Sequence, residues 1–399
     1  MGFKEFKLNA LLEVSKAINN NLAPEKLFLL LKFFLKNQLK IKKGCLLKVD
    51  DSGFSELITY GLSNQFNEDD FAKLKQFKDI TYVGKLEQNP LPEFEAIIPI
   101  AHKFEIVAYL MVGDIEEHKD FTVTPVIRNL RFIQTLANLV VVAVENQILE
   151  AQKRENIKFR KELELASHIQ QLLIPKELPK RKQFSVAAKY QPKDKIGGDY
   201  YDVIKLTDHS YFFCLCDISG KGITAAMIMA NFQAILRGSI HRLKDFKAFI
   251  TYLNKKVIEL AGYDYFVTFF GGVYNLETKE LQYINAAHFP PIIKTENTNA
   301  NLPTNIPGLG MVAELPNFEI QKLNITSPTN IIGFTDGATD VTNEKGEFFG
   351  EENLEKHLFK QAFLAPNEHI ETTLNTIKQY VGKNGLYTDD LTLMSIRLN

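Results

Sequence analysis

Apolar residues recur at helical spacing over residues 3–21 and 24–39, which predicts two amphipathic helices separated by the break Asn20-Asn21-Leu-Ala-Pro24. Alternating, strand-like segments follow. Gly44 to Val49 and Phe54 to Tyr60 form a predicted hairpin over Asp50-Asp51-Ser52-Gly53, and Ala96 to Ile100 and Glu105 to Gly113 form a second pair across His102-Lys103-Phe104. A long helix is predicted from near Thr122 past Val144. Helices framing a short antiparallel sheet make a small α+β domain over residues 1–150.

From Val141 to Leu173 there is no Pro or Gly, and the polar positions are filled by Glu, Lys, Gln and Arg. Val141, Val144, Ile148 and Ala151 keep a 3-4 spacing, and Phe159, Leu163, Ala166 and Leu173 resume it after a one-residue slip. Residues 141–173 therefore read as one linker helix, either a short coiled-coil seam or a solvated connector. Pro175 and Pro179 end it.

Beyond Pro179 the period changes to two. Strands are predicted at 184–190, 200–206, 210–216, 265–274, 279–286, 290–294, 317–323, 329–334 and 391–397, with helices at 222–238, 244–261, 351–364 and 367–381. Short turns between strands mean antiparallel pairing, and helices arriving in pairs suit the outer faces of two packed sheets. The expected class is α+β, with residues 174–399 forming an α/β/β/α sandwich of two antiparallel sheets.

Composition adds exclusions. The 399 residues suit two or three domains, and 47 basic against 48 acidic side chains leave no net charge for a nucleic-acid coat or a polybasic membrane anchor. Cys45, Cys214 and Cys216 have neither disulfide-framework nor four-cysteine zinc spacing, and the last two alternate along a predicted strand, so a reducing cytoplasm is expected. Residues 1–21 carry charge throughout and lack the apolar core of a signal peptide. The greasiest runs, Leu27 to Leu35 and Ala137 to Val144, are far short of the roughly 20 residues of a membrane span.

The acids are focused rather than scattered. Asp199, Asp217, Asp336 and Asp389 each sit at an end of an apolar strand beside a turn, in Ile-Gly-Gly-Asp199-Tyr-Tyr-Asp202, Cys-Leu-Cys-Asp217-Ile-Ser-Gly-Lys-Gly222, Gly-Phe-Thr-Asp336-Gly-Ala-Thr-Asp340 and Tyr-Thr-Asp389-Asp390-Leu-Thr. A carboxylate leaving an apolar strand needs a partner. None of the four has an obvious neutralising Arg or Lys beside it, so a shared cation is expected, and oxygen donors suit Mg²⁺ or Mn²⁺ over zinc. Two such ions could activate water and clamp a phosphoryl group. Rival phosphate motifs fail: Ser219-Gly-Lys221-Gly-Ile-Thr224 lacks the Walker spacing, Gly197-Gly198 precedes a strand rather than a helix, and no Gly-x-Ser-x-Gly elbow is present.

Taken in order, Ile169-Gln-Gln-Leu-Leu-Ile-Pro175, Gly197-Gly-Asp-Tyr-Tyr-Asp202, Asp217-Ile-Ser-Gly-Lys-Gly222 with Ala225-Ala226 and Met229-Ala230, Asn285-Ala-Ala-His-Phe-Pro290, Thr335-Asp-Gly337, Phe349-Gly350 and Asp389-Asp390 resemble the PP2C superfamily of bacterial metal-dependent serine/threonine phosphatases. The likeness is to the sigma-regulatory branch of stress-response and sporulation (SpoIIE-like) phosphatases. Two positions depart from its usual Asn-Ala-Gly-His-Asn-Pro: Ala287 stands for Gly and Phe289 for Asn. Residues 1–150 more loosely resemble a GAF sensor domain through Ala96-Ile-Ile-Pro-Ile100, Ile106-Val-Ala-Tyr-Leu-Met-Val-Gly113 and the long final helix.

The resemblance implies two divalent cations, Mn²⁺ or Mg²⁺, held by Asp199, Asp217, Asp336, Asp389 and the backbone carbonyl of Ile218, with water rather than a protein nucleophile attacking the phosphate. Asp202, Lys221 and Asp390 are then outer residues or phosphate contacts. Leu172 is a candidate regulatory position, packing the linker helix on the helix after Gly222. The implied substrate is a phosphorylated STAS-domain anti-sigma-factor antagonist in a partner-switching pathway. A homodimer through the GAF-like domain and linker helix, no nucleic acid and no membrane span complete the expectation. The competing expectation is a non-catalytic binding module on the same fold.

Overall fold

The computed structural model of the protein describes residues 3–50, 53–63, 72–85, 89, 91–103, 105–115, 129–241, 245–361 and 363–399. The predicted start of the long helix near Thr122, the hairpin residues Asp51 and Ser52, and Phe104 fall outside them. The chain divides into two compact units, Met1–Lys158 and Phe159–Asn399.

In the first unit, α1 (Phe3–Asn19) and α2 (Pro24–Phe33) precede a sheet of five strands: β1 (Ile41–Asp50), β2 (Gly53–Tyr60), β3 (Thr81–Tyr82), β4 (Ala96–His102) and β5 (Glu105–Ile115). Their order is β2-β1-β5-β4-β3, antiparallel throughout. The predicted helix 24–39 changes character at Phe34, continuing as a π-helical turn over Phe34–Gln38. Both faces of the sheet are covered. Leu46, Ile98 and Leu110 pack against the helices, while Cys45, Leu47, Ile97 and Met111 pack with Leu74, Leu91 and Phe94 on the other side. That double burial explains why Cys45-Leu46-Leu47 is a continuous apolar run rather than an alternating one.

One helix, α3 (Leu130–Leu173), carries residues of both units. Its first turns bury Ile133, Leu136, Val140 and Val144 in the first unit's core, and from Leu149 to Ala166 nearly every position is exposed.

The second unit has the expected four layers. Strands β6 (Phe184–Gln191), β7 (Tyr200–Lys205), β8 (Ser210–Ile218), β9 (Val267–Asn275), β10 (Glu280–Ala286), β11 (Ile292–Lys294), β12 (Asn299–Asn301), β13 (Gln321–Asn324), β14 (Thr329–Phe334) and β15 (Leu391–Leu398) form two antiparallel sheets, ordered β13-β10-β9-β8-β7 and β12-β11-β14-β15-β6. Between the sheets lie Tyr201, Phe213, Leu215, Phe270, Val186, Ile331 and Ile396. Helices α4 (Gly222–Ile240) and α5 (Phe246–Ala261) cover the outer face of the first sheet through Met229, Phe232 and Leu253; α6 (Glu351–Lys360) and α7 (Pro366–Val381) cover the second through Leu354, Leu358 and Ile377.

Local chemistry sets the boundaries. The Asp245 carboxylate accepts from the amides of Lys247 and Ala248 to start α5, and Gly262 ends it at φ 64°. β3 and β12, two and three residues long, fall outside the predicted strands; such short segments give little periodic signal. Cys214 and Cys216 lie on one face, not two, because residues two apart on a strand point the same way; both are buried under α4 and α5 as unpaired thiols. By length and composition α3 and α4 each contain a stretch apolar enough to cross a bilayer. Each sets part of that apolar face against a sheet, with 39% of each stretch buried.

Candidate metal centre

Four loops at the strand ends carry the acids. Asp199 immediately precedes β7 and Asp217 lies near the end of β8, both in the first sheet; Asp336 follows β14 and Asp389 precedes β15, both in the second. Asp217, Asp336 and Asp389 line one cleft of about 310 Å³, together with Ile218, Lys221 and His288. Asp199 lies beneath it, 1% exposed, its Oδ2 accepting from Thr335 Oγ1 at 2.7 Å and Thr392 Oγ1 at 2.5 Å.

Three glycines let these loops approach. A Cβ on Gly197 would sit 1.8 Å from the Asp390 carboxylate, one on Gly337 would sit 2.0 Å from the Asp390 carbonyl, and one on Gly198 would meet the Ile218 carbonyl at 3.0 Å. Asp390 Oδ2 accepts from the Gly198 amide at 2.7 Å and its Oδ1 from the Lys193 amide at 2.9 Å. Asp390 therefore ties the loop before β7 to the loop before β15 rather than facing the cleft.

The electrostatics follow from crowding like charges where water is scarce. Burial, then Asp336 and Asp389, pushes the Asp217 carboxyl up to about 8; burial and Asp389 push Asp336 up to about 6. Burial and Asp217 hold Asp199 well above the usual carboxylate range. Such a cluster is short of positive charge, and its donors are all hard oxygens, so it fits Mg²⁺ or Mn²⁺. The acids are gathered but not converged on a point: among the described residues no three His, Cys, Asp or Glu side chains stand in a ready chelating arrangement.

The structure corrects three expectations. Asp389 does have a neutralising neighbour, because Lys221 Nζ lies against its Oδ2 and donates to the Thr388 carbonyl at 3.3 Å. Asp202 faces no phosphate: it is fully buried, takes a bidentate bond from Arg237 of α4 (Nε at 2.7 Å, Nη2 at 2.8 Å), and accepts from the Tyr200 hydroxyl. Leu172 does not pack on α4, being 57% exposed. The contacts run through its neighbours instead. Gln170, buried, donates to the Gly197 carbonyl at 2.6 Å and accepts from the Gly197 amide at 3.2 Å, and Gln233 of α4 donates to the Leu173 carbonyl at 3.3 Å.

Gln170, Thr335 and Thr392 were not singled out in the sequence, although each lies within or beside a quoted motif. Polar residues on otherwise apolar, inward faces were the available signal. The departures at 287 and 289 also acquire a setting. Ala287 adopts φ 50°, the left-handed conformation that glycine takes freely. Phe289 packs its ring 6.1 Å from that of Phe334, and His288 shares a 2.8 Å hydrogen bond with Thr268.

Residues 207–399 match the family described as Stage II sporulation protein E (SpoIIE). Protein IcfG of Synechocystis sp. is 30% identical over 290 residues, 65% of this chain and 45% of that protein. Phosphoserine phosphatase RsbU of Bacillus subtilis is 24% identical over 258 residues, 63% of this chain and 74% of that protein. The chain thus spans less than half the length of the first of these relatives. Among solved structures, the SiaA-PP2C domain of Pseudomonas aeruginosa matches with a TM-score of 0.53 at 19% identity, over 62% of this chain and 98% of that one, a likeness of fold.

Proposed function

We propose that the C-terminal unit, a PP2C domain of the SpoIIE type, is a metal-dependent protein serine/threonine phosphatase. The observation that carries this reading is the joining of carboxylates from both sheets at one cleft, with Asp217 raised to about 8 by its neighbours. Asp199, Asp217, Asp336, Asp389 and the Ile218 carbonyl would hold two divalent cations. Bound there, such ions lower the pKa of water and neutralise phosphoryl oxygens.

The chain's own residues supply the rest. Thr335 and Thr392 fix the rotamer of Asp199, Asp390 and Gln170 pin the Gly197-Gly198 turn, and Lys221 offers an ammonium at the cleft mouth to a substrate phosphate. The substrate we infer is a phosphoserine or phosphothreonine on a STAS-type regulatory protein, a reading supported by the likeness to RsbU, a protein named as a phosphoserine phosphatase.

The N-terminal unit we read as GAF-like and regulatory, in a cytoplasmic protein with reduced cysteines. A homodimer is supported by Leu165, Ile169 and Leu172, exposed apolar residues at 4-3 spacing along α3. The test is hydrolysis of p-nitrophenyl phosphate and of phosphorylated STAS proteins, with and without Mn²⁺. Metal-dependent turnover that Asp217→Asn abolishes is expected. No turnover at any protein concentration would replace the enzyme by a binding module.

A further inference from the structure

A second cleft in the C-terminal unit, about 370 Å³, is lined by Lys180, Arg181, Lys182 and Arg397 with Ser185 and Asn399 among its polar groups. No carboxylate side chain lines it. Elsewhere on this unit Lys205, Lys256 and Lys356 each reach an acid within ion-pair distance. Among the described residues, none of the cleft's four cations does.

The backbone that carries three of these cations is fixed. Arg181 and Phe184 exchange two backbone hydrogen bonds, at 3.0 and 3.2 Å, and Lys180 bridges to Ser185, so a tight turn fixes three successive basic residues at the cleft edge. Strand pairing of β15 with β6 sets Arg397 opposite Ser185. Both guanidiniums lie over rings, Arg397 at 4.4 Å from Phe363 and Arg181 at 5.8 Å from Tyr211. A guanidinium braced on an aromatic face keeps its planar fork of N–H donors oriented, and that fork matches an oxyanion. Four like charges gathered in one cleft repel; Asp208, whose charge interacts with Arg181, is itself paired with Lys205, so an anion in the cleft relieves the repulsion.

This place is remote from the carboxylates. Asp389 precedes β15 and Arg397 lies near its far end; the six steps from Leu391 to Arg397 along the 8-residue strand, at about 3.3 Å each, alone span about 20 Å.

We propose that the cleft binds a phosphate-type oxyanion, either free inorganic phosphate or the phosphoryl group of a small phosphate ester. Its volume accommodates the phosphoryl group and part of an attached organic group. The proposal does not depend on the phosphatase reading, and the experiment keeps them apart.

Calorimetric titration of the full chain with inorganic phosphate is done in EDTA, at constant ionic strength balanced with chloride, so that the acidic cluster is metal-free and repels anions. Saturable binding is expected. Arg397→Gln and Arg181→Gln should each weaken it about tenfold through loss of charge-assisted hydrogen bonds. The exposed Lys182→Gln, which has no packing to lose, should weaken it about threefold. O-phosphoserine and AMP in parallel assign the source: tighter binding than inorganic phosphate marks an ester, equal or weaker binding marks the free ion. No saturable heat, or an affinity unchanged in all three variants, overturns the proposal.

Discussion

Without metal, the protein should lose stability as pH rises through neutrality. Asp217 is raised from 3.8 to about 8 in the folded state, first by burial and then by Asp336 and Asp389. A folded-state value above the unfolded one means that the native protein keeps a proton the unfolded chain has released. The associated stability is fully present below about pH 4 and is lost as pH climbs through about 8. Each pH unit within that window costs about 1.4 kcal/mol per retained proton. Buried His288 runs the other way: its value is lowered to about 3, so its contribution is present above about 6.5 and lost on acidification.

The window in which Asp217 titrates is therefore pH 6.5 to 8, where the histidine is neutral in the folded state and loses its remaining half proton in the unfolded one, and where raised Asp199 acts in the same direction as Asp217. Across it the Asp217 loss is about 1.7 kcal/mol, because the slope falls off as the pH reaches the folded-state value, less about 0.4 kcal/mol from the remaining histidine titration. For a unit of this size that is a fall in Tm of roughly 3–6 °C. Thermal melts in EDTA at fixed ionic strength read it directly. Mn²⁺ should restore Tm more at pH 8 than at pH 6.5, and Asp217→Asn should flatten the EDTA profile. A Tm in EDTA that is constant or rising over this window, or an Asp217→Asn profile as steep as the parent's, refutes the reasoning.

Three further outcomes are expected. Gln170→Ala leaves both polar groups of the Gly197 peptide without their buried partner, a cost of about 1–3 kcal/mol; Mn²⁺ affinity measured by titration should fall, because the loop that presents Asp199 is no longer pinned to α3. Arg237→Ala strands the Asp202 carboxylate in the core and should cost about 3 kcal/mol in urea unfolding. Arg237→Lys should recover only part of that loss, since an ammonium cannot make the bidentate pair. Gly238→Ala, in the last turn of α4 with open space where the methyl would go, should stabilise the protein by up to about 0.5 kcal/mol on the same assay.

The sandwich was legible because each strand repeats one instruction: alternate or continuous burial, then a polar turn. The site was legible to the same depth and no further. Asp199, Asp217, Asp336 and Asp389 announce themselves as acids at the ends of apolar strands, and Gly197 and Gly337 mark places where loops cross without room for a side chain. What a linear reading could not decide is which acid already has a partner. Asp199 and Asp202 look alike in Gly-Asp-Tyr-Tyr-Asp, yet one meets two threonine hydroxyls and the carboxylates, and the other meets Arg237, 35 positions away along the chain.

The same limit explains Leu172 and Gln170. Leu172 is the expected contact with the helix after Gly222, but the helix faces a bare backbone at Gly197, and a glutamine amide satisfies both of that residue's polar groups where a leucine would satisfy neither. It also explains the basic cleft. Lys180-Arg181-Lys182 reads as a solvated run until β15 brings Arg397 across from Ser185, and only then do four cations share one concavity. In each case composition and spacing supply the charges, while strand pairing decides which of them remain uncompensated. At one end of β15 the acids outnumber the single ammonium of Lys221, and at the other four cations share a cleft whose lining holds no acid side chain, so both ends have charge left to offer a ligand.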